Sequence, residues 1–191
     1  MMSLKALGAR FLAQWVHHKT LKWADNPVEA QQRTFEKLIA KGRNTGFGAE
    51  HGFAEIRSYS DFSTRVPVRD YETLKPYVER IFKGEDDVLW PGKPLYFAKT
   101  SGTTSGAKYI PISRESIKEQ VRASRNAILN YIHKTGNVDF VNGKMIFLQG
   151  SPVLDEKNGL KVGRLSGISA HYVPGYLQKN RLPSWETNCI E

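Results

Sequence analysis

Apolar residues recur at helical spacing near the start of the chain. Leu4, Leu7, Phe11 and Trp15 lie three or four residues apart, so they share one face of a helix. We therefore predict an amphipathic first helix. Basic residues follow, and positive charge suits the C-terminal end of a helix.

Start and stop signals predict two further helices. Asn26 is a capping residue, Pro27 suits the first turn, and Gly42 ends the apolar pattern. The stretch 42–53, "GRNTGFGAEHGF", contains four glycines and no periodicity, so we predict a loop there. The second of these helices is predicted from apolar residues at helical spacing, which we expect to face inward. They are Tyr77, Val78, Ile81 and Phe82, and Gly84 follows them.

The second half of the chain alternates short apolar runs with one long helical pattern. Leu95 to Ala98 is typical of a strand, and the runs 144–148 and 160–162 predict two more. A helix is predicted from Arg114 to His133. Its apolar face holds Ile117, Val121, Ser124, Ile128, Tyr131 and Ile132. This order predicts an α/β fold in which N-terminal helices are followed by the start of a mixed sheet.

Charge and composition narrow the functional classes. The 191 residues suffice for one domain or for part of a larger one. The 28 basic and 19 acidic residues give a net charge of +9, but the basic residues are scattered and form no run. The scattered positive charge is best explained by a solvated basic surface. A basic face around a site for anionic substrates is the second interpretation. We therefore expect no nucleic-acid partner, and a basic nucleic-acid-binding protein is the least favoured alternative.

Sequence signals for export and membrane insertion are missing. Cys189 is the single cysteine, so it cannot form an internal disulfide or a cysteine-rich metal site. No stretch approaches the roughly 20 apolar residues of a membrane span, and the chain opens without a cleavage signal. We expect a cytoplasmic monomer with no membrane partner.

A polar, flexible segment separates the first strand from the long helix. Residues 99–113 read "KTSGTTSGAKYIPIS". Glycines let successive N–H groups converge on one anion, hydroxyls add donors, and a lysine adds a charge. This layout predicts a phosphate-binding loop, although hydroxyl-rich glycine segments also occur as plain turns. The candidate residues are Thr100, Ser101, Gly102, Thr103, Thr104, Ser105, Gly106 and Lys108.

Two common phosphate motifs do not fit this segment. The P-loop needs a lysine directly after its second glycine, whereas Gly102 and Gly106 are one residue too close and Ala107 precedes Lys108. The glycine fingerprint of dinucleotide-binding folds is absent as well. Residues 111–113 separate the loop from its helix, so no helix N-terminus lies directly under the phosphate. We expect the loop to cover the phosphates as a flap.

Three segments together resemble a known family. "FAKTSGTTSGAKYIPIS" contains a form of the phosphate-loop signature of the adenylate-forming superfamily. With "VPVRDYETLKPYVERIFKGE" and "GRLSGISAHYVPGYLQKNRLPS", it resembles the auxin-responsive acyl-acid amido synthetase family, as a bacterial-type relative. The resemblance runs from about Phe53 to the last residue. The serine before the second glycine, Ser105, suits these amido synthetases.

The resemblance implies a reaction in two steps. A carboxylic acid attacks the α-phosphate of ATP to give an acyl-adenylate and pyrophosphate. An amino acid amine then takes the acyl group, and AMP leaves. ATP and Mg²⁺ are the implied cofactors, and a carboxylic acid and an amino acid acceptor are the implied partners.

Members of this family are much longer than this chain. We therefore expect residues 1–191 to be the N-terminal portion of the large ATP- and acyl-binding domain, without its remainder or the small C-terminal domain. Catalytic residues and metal ligands are expected beyond Glu191, so none is assigned here and the chain alone is expected to be inactive. Two alternatives stay open: a non-catalytic nucleotide- or acid-binding relative, and an adenylate-forming ligase that transfers to a thiol.

The family's acyl-acid pocket is partly formed by the helix after the loop. Arg125 and Arg122 are candidates for a substrate carboxylate, and a solvated helix face is the alternative for both. Ile128 belongs either to the pocket or to the core. Ser166 and Gly167 lie in the third resembling segment, where they either line the acyl site or form a simple turn.

Overall fold

The computed structural model describes residues 3–100 and 106–190, which form two compact units. The first unit comprises Met1–Asn26, Glu115–Leu154 and Gly163–Glu191. The second comprises Pro27–Arg114 and Asp155–Val162. Both units are therefore discontinuous in sequence.

Five helices come first among the described residues, and short strands mixed with helices follow. The helices are α1 (Leu4–Ala24), α2 (Pro27–Gly42), α3 (Gly46–Glu50), α4 (Tyr59–Arg65), α5 (Tyr71–Phe82), α6 (Arg114–Thr135), α7 (Leu165–Ala170), α8 (Gly175–Gln178) and α9 (Trp185–Asn188). The strands are β1 (Tyr96–Lys99), β2 (Tyr109–Ile112), β3 (Met145–Ile146), β4 (Asp155–Lys157), β5 (Leu160–Gly163) and β6 (Arg181–Leu182). Short 3-10 turns cover Phe53–Glu55 and Asp139–Asn142.

The second unit is organised around a four-stranded sheet with the order β2–β1–β5–β4. β1 and β2 are antiparallel, with Tyr96 opposite Ile112 and Lys99 opposite Tyr109, and β4 pairs antiparallel with β5. α5 packs against this sheet with the apolar residues that the sequence predicted. The shared core contains Tyr77, Val78, Ile81, Phe82, Val88, Phe97 and Val162.

The loop predicted over residues 42–53 is wrong. A short helix, α3, follows Thr45, whose buried hydroxyl accepts from the Gly48 N–H at 3.0 Å and donates to the Gly42 carbonyl at 2.8 Å. A Cβ on Gly48 would lie 1.9 Å from that carbonyl oxygen. The glycines of this stretch therefore permit a close approach of the chain to itself.

Hydrogen bonds and ion pairs link α3 to α5. The Tyr77 hydroxyl donates to Glu50 at 2.5 Å, and Arg80 pairs with Glu50 at 3.0 Å and with Glu85 at 2.5 Å. The hydrogen bond from Tyr77 is the main cause that lowers the pKa of Glu50. Burial, followed by the bond to Glu50, raises the pKa of Tyr77. Both shifts keep the carboxylate charged and the phenol protonated at neutral pH.

In the first unit, α1 packs through small side chains. Ala6, Ala13 and Val16 are buried with Leu129 and Ile132 of α6. Small residues let two helices approach closely, because the distance between helix axes depends on the side chains at the contact. The packed face of α1 is therefore the face of small residues, and not the face on which the large apolar residues recur.

The helix predicted from the spacing of Leu4, Leu7, Phe11 and Trp15 is confirmed, and these four side chains are exposed in the described structure. Leu4 is 90% exposed, Leu7 41%, Phe11 65% and Trp15 52%. α1 is apolar on two opposite faces, and within the unit only the face of small residues is packed. Among the described residues, no helix is long and apolar enough to cross a membrane.

The rest of the first unit contains a two-stranded parallel sheet of β3 and β6. Met145 is paired with Arg181, and the Phe147 N–H donates to the Leu182 carbonyl at 2.9 Å. The strand predicted over 144–148 is thus shorter than expected. Arg181 is buried, and its guanidinium donates to the Gln178 side chain at 3.4 Å.

Gly48→Ala and Gly8→Ala should change stability in opposite directions. The added Cβ at position 48 would overlap the Gly42 carbonyl oxygen, so we expect a loss of about 2 kcal/mol. At Gly8, inside α1, no heavy atom lies within 4 Å of a Cβ, so alanine should stabilise by about 0.5–1 kcal/mol. Chemical unfolding of both variants measures this, and a neutral Gly48→Ala would contradict the described contact.

Stability should also fall on acidification, because of His17. Its ring stacks on His133 of α6 with centroids 3.7 Å apart. Desolvation, then the positive charges of His133, Lys134 and His18, lower the pKa of His17 from 6.5. At acidic pH the unfolded chain therefore binds more protons than the folded chain. The contribution of neutral His17 to the free energy of unfolding is complete above the ordinary pKa of histidine and is lost as the pH falls through the lowered pKa.

We therefore expect a lower unfolding midpoint at about pH 5 than at about pH 7.5. His17→Phe keeps a stacked ring without a titrating group, so its midpoint should depend less on pH. Thermal unfolding at both pH values provides the comparison. The same pH dependence in both proteins would exclude His17 as its source.

Candidate phosphate-binding site

The segment that contains the phosphate-loop candidates connects β1 to β2, which pair as an antiparallel hairpin. The Thr100 N–H donates to the Lys108 carbonyl at 3.0 Å and so closes the hairpin at its loop. The candidates Ser101, Gly102, Thr103, Thr104 and Ser105 lie outside the described residues. The strand before the loop is confirmed, and α6 begins only at Arg114, so no helix starts directly at the loop.

Buried side chains fix the base of this hairpin. Phe97 is fully buried and stacks on Phe82 of α5, with ring centroids 4.3 Å apart. Ala98 and Ile112 are buried as well, whereas Lys99 and Thr100 are exposed. The core therefore anchors the strands, whereas Lys99 and Thr100 face solvent.

The backbone at the second glycine of the motif requires glycine. Gly106 has a φ of +80°, in the left-handed region that other residues rarely adopt. No heavy atom lies within 4 Å of where a Cβ would be, so the requirement is conformational rather than steric. A glycine in this conformation is compatible both with an anion-binding loop and with a plain turn.

Lys108 lies beside an aromatic residue that the sequence did not single out. Its Nζ is 5.7 Å from the centroid of the Tyr71 ring. The Tyr71 hydroxyl accepts a hydrogen bond from the Tyr109 N–H at 2.8 Å. Tyr71, in the first turn of α5, therefore fixes the strand after the loop and supports the side chain of Lys108.

Asp70, an acidic residue that interacts with the charge of Lys108, is held by its role as a helix cap. Asp70 accepts from the Thr73 N–H at 2.9 Å and caps α5. This bond and one from the Thr73 hydroxyl lower the pKa of Asp70, and the charge of Lys108 adds the smallest contribution. The carboxylate is therefore bound mainly by its own helix.

The side chains that α6 buries differ from the predicted face. Ile117, Leu129 and Ile132 are buried, whereas Ile128 is 42% exposed. The core alternative for Ile128 is therefore wrong, because α6 packs along one edge of its apolar stripe. The assignment of Ile128 to an acyl pocket stays a prediction.

Arg125 lines a groove of about 560 Å³ between α1 and α6. Its guanidinium donates to the Asn126 side chain at 3.2 Å, and Arg122 in the same groove pairs with Glu119. Ile128 is not among the residues that line this groove. This groove therefore contains Arg125 but not Ile128.

Ser166 and Gly167 have structural contacts in the first unit. The Ser166 hydroxyl accepts from the Gly150 N–H at 2.9 Å. A Cβ on buried Gly167 would lie 2.1 Å from the Ser151 carbonyl oxygen. Both residues belong to α7, so the alternative of a simple turn is wrong. Their role in acyl binding stays a prediction.

Comparison with protein families decides the classification. Residues 16–188 match the model of the GH3 family N-terminal domain. The chain belongs to the GH3 family. This confirms the resemblance to the auxin-responsive acyl-acid amido synthetases, and the match begins earlier in the chain than the resembling segments.

Curated relatives of this GH3 chain are plant amido synthetases. Jasmonoyl–L-amino acid synthetase JAR4 of Nicotiana attenuata is 26% identical over 136 residues, which is 70% of this chain and 23% of that protein. Indole-3-acetic acid-amido synthetase GH3.2 of Arabidopsis thaliana is 28% identical over 105 residues, covering 52% of this chain and 19% of that protein. The chain thus spans less than a quarter of the length of these relatives.

Solved GH3 structures share the fold. AtGH3.15 acyl acid amido synthetase in complex with 2,4-DB superposes with a TM-score of 0.69 at 22% identity, over 85% of this chain and 29% of that chain. This confirms the predicted α/β class with N-terminal helices and a mixed sheet. Among residues 3–100 and 106–190, no group of three His, Cys, Asp or Glu side chains could hold a metal ion.

Substitutions in α7 separate a structural role from a binding role. Gly167→Ala should destabilise the chain by about 2 kcal/mol through the clash with Ser151. Ser166→Ala should cost about 1 kcal/mol, because the Gly150 N–H loses its acceptor. Gly175→Ala, where a Cβ meets no heavy atom within 4 Å, is the control. Urea unfolding measures all three, and an unchanged Gly167→Ala would refute the packing role.

Proposed function

We propose that this GH3 chain binds the phosphates of ATP in an enzyme that activates a carboxylic acid and joins it to an amino acid. The β1–β2 hairpin carries the proposal. It presents the motif 100–108 beyond a buried base, with Gly106 in a left-handed conformation and Lys108 supported by Tyr71. These features fit a loop that surrounds an anion with N–H groups, hydroxyls and one lysine.

The reaction requires activation, because a carboxylate is a poor electrophile. A carboxylate oxygen attacks the α-phosphorus of ATP, the bond to the β-phosphate oxygen breaks, and pyrophosphate leaves. The amine of the amino acid then attacks the acyl carbon, loses a proton, and displaces AMP to leave an amide. Both steps develop charge on phosphate oxygens, so placing donors there is the protein's main task.

We assign the loop residues to this task. Backbone N–H groups and hydroxyls from Thr100 to Gly106 would surround the phosphate oxygens, and Lys108 would supply a positive charge. Mg²⁺, when bound, would shield the phosphates, and its ligands are proposed to lie beyond Glu191. The chain spans less than a quarter of the two curated relatives named above, which supports the proposal that it is a portion of the large domain and is inactive alone.

The acyl-acid side is proposed to use the exposed part of α6. Ile128 is accessible there and is the better pocket candidate, whereas Arg125 lies in the groove toward α1. Ser166 and Gly167 would support acid binding by holding α7 in place, and they could also contact the acid directly. The acid and amino acid are proposed only as classes, because the named relatives use different acids.

Substitution of the loop lysine tests the proposal. Lys108→Ala should weaken ATP binding to the 191-residue chain by about tenfold or more, since a charge-assisted hydrogen bond contributes about 1.5–3 kcal/mol. Thr103→Ala should weaken it several-fold. Lys37→Ala, an exposed lysine of α2, is the matched control. Calorimetric titration and thermal unfolding are measured on the same samples.

Either of two results would overturn this function. An equal loss of stability and binding in Lys108→Ala would show that the loop is structural. Undiminished ATP binding in Lys108→Ala would exclude it from the phosphate site. We expect no ATP–pyrophosphate exchange by the chain alone, and exchange would place the catalytic residues within it. In a chain as long as the relatives, formation of an amide rather than a thioester separates amino acid from thiol transfer.

A further inference from the structure

Tyr71 contacts the chain that follows the phosphate loop in two places. Its hydroxyl accepts the Tyr109 N–H at 2.8 Å, and its ring centroid lies 5.7 Å from the Nζ of Lys108. Tyr71 is the first residue of α5, and Tyr109 is the first residue of β2. Every one of these residues belongs to the second unit. The contacts therefore connect the start of a helix to the lysine of the candidate site.

The peptide group between Lys108 and Tyr109 is held from both sides. Its carbonyl accepts the Thr100 N–H at 3.0 Å across the hairpin, and its N–H donates to the Tyr71 hydroxyl. A trans peptide directs its carbonyl and its N–H in opposite directions, so one faces β1 and the other faces α5. With both groups bonded, the peptide has little freedom to rotate. The backbone at Lys108 is fixed as a result.

The ring of Tyr71 attracts the Lys108 ammonium without neutralising it. A cation within about 6 Å of the centroid of a tyrosine ring is attracted by the negative face of the ring. A carboxylate in this place would form an ion pair, which a phosphate would have to displace, but the neighbouring Asp70 is engaged in the cap of α5. Lys108 is half-buried, so the ring further restricts its rotamers. The charge stays available to an anion.

Contacts of the preceding residue fix Tyr71 itself. Arg69 donates from Nη2 to the Nε2 of His51 at 3.1 Å, and this ring nitrogen is the acceptor because arginine can only donate. The Nδ1 of His51 then carries the proton and donates to the Phe47 carbonyl at 2.8 Å. His51 is buried and stacks on the ring of Phe47, with centroids 4.1 Å apart. The segment around α3 therefore anchors the chain directly before Tyr71.

We propose that Tyr71 is a positioning residue for phosphate binding and that it acts through Lys108. The inference rests on the proposed ATP site. The Tyr71 hydroxyl fixes the backbone at Lys108, and the ring holds the ammonium. Tyr71 would thus raise ATP affinity without touching the nucleotide, because Lys108 has less conformational freedom to lose on binding. A purely structural role would stabilise the chain without any dependence on Lys108.

A double-mutant cycle on the 191-residue chain tests this inference. Tyr71→Phe removes the hydroxyl and keeps the ring, whereas Tyr71→Leu removes both. We expect ATP affinity to fall about threefold in Tyr71→Phe and about tenfold in Tyr71→Leu. Lys108→Met keeps the side-chain stem without the charge, and in this background Tyr71→Leu should change affinity by less than about twofold. Calorimetric titration with ATP and with inorganic tripolyphosphate should give similar losses, since the effect is on phosphate binding.

Tyr59→Phe is the matched control, because Tyr59 is a 72% exposed tyrosine of α4. It should bind ATP like the parent chain. Amide hydrogen exchange adds a readout without ligand: the Tyr109 N–H should exchange faster in Tyr71→Phe, whereas the Gly48 N–H, which donates to Thr45, should exchange as in the parent. Circular dichroism and unfolding midpoints establish that each variant is folded. Should Tyr71→Leu fail to fold, the same cycle is completed with Tyr71→Phe.

The possible failures are distinguishable. Parent-like ATP affinity in the folded Tyr71 variants, together with weaker binding in Lys108→Met, would leave the proposed function intact and remove the role of Tyr71. An equal loss on Tyr71→Leu with and without the lysine charge would show that Tyr71 does not act through Lys108. Unchanged binding in Lys108→Met, or no ATP binding by the parent chain, would remove the proposed function and this inference with it.

Discussion

The burial of Phe97 against Phe82 is the contact on which the candidate site depends. β1 has only four residues, so its few ladder hydrogen bonds are a weak constraint on register. A slip by one residue would turn Phe97 to solvent and forfeit about 1.5–3 kcal/mol of apolar burial. The same slip would separate Thr100 from Lys108, so a hydrophobic contact in the core sets the position of a polar loop.

Local signals in the sequence predicted much of the fold. α2 begins at Pro27 and ends at Gly42, as the cap and the terminal glycine indicated, and α5 buries the predicted residues. The phosphate-loop motif and its flanking segments also led to the correct family. These features could be predicted because each depends on residues that are neighbours in sequence.

The errors and omissions arise where tertiary contacts decide the outcome. α1 is apolar on two faces, and periodicity cannot show that the alanine face packs while Phe11 stays exposed. The glycines around Gly48 look like a loop, although they permit a close backbone approach. Tyr71 was missed because its hydroxyl meets a backbone N–H 38 residues away, for which no local pattern exists.

The discontinuity of the second unit has a consequence for biosynthesis. β1 lies between β2 and β5, yet β5 leaves the ribosome only after α6 and β3 have been made. Until then, the nascent hairpin has an open strand edge and lacks Val162 in its core. Such an edge can pair with other chains. Between synthesis of β2 and synthesis of β5, the nascent hairpin therefore has an unpaired edge that its own chain cannot yet cover.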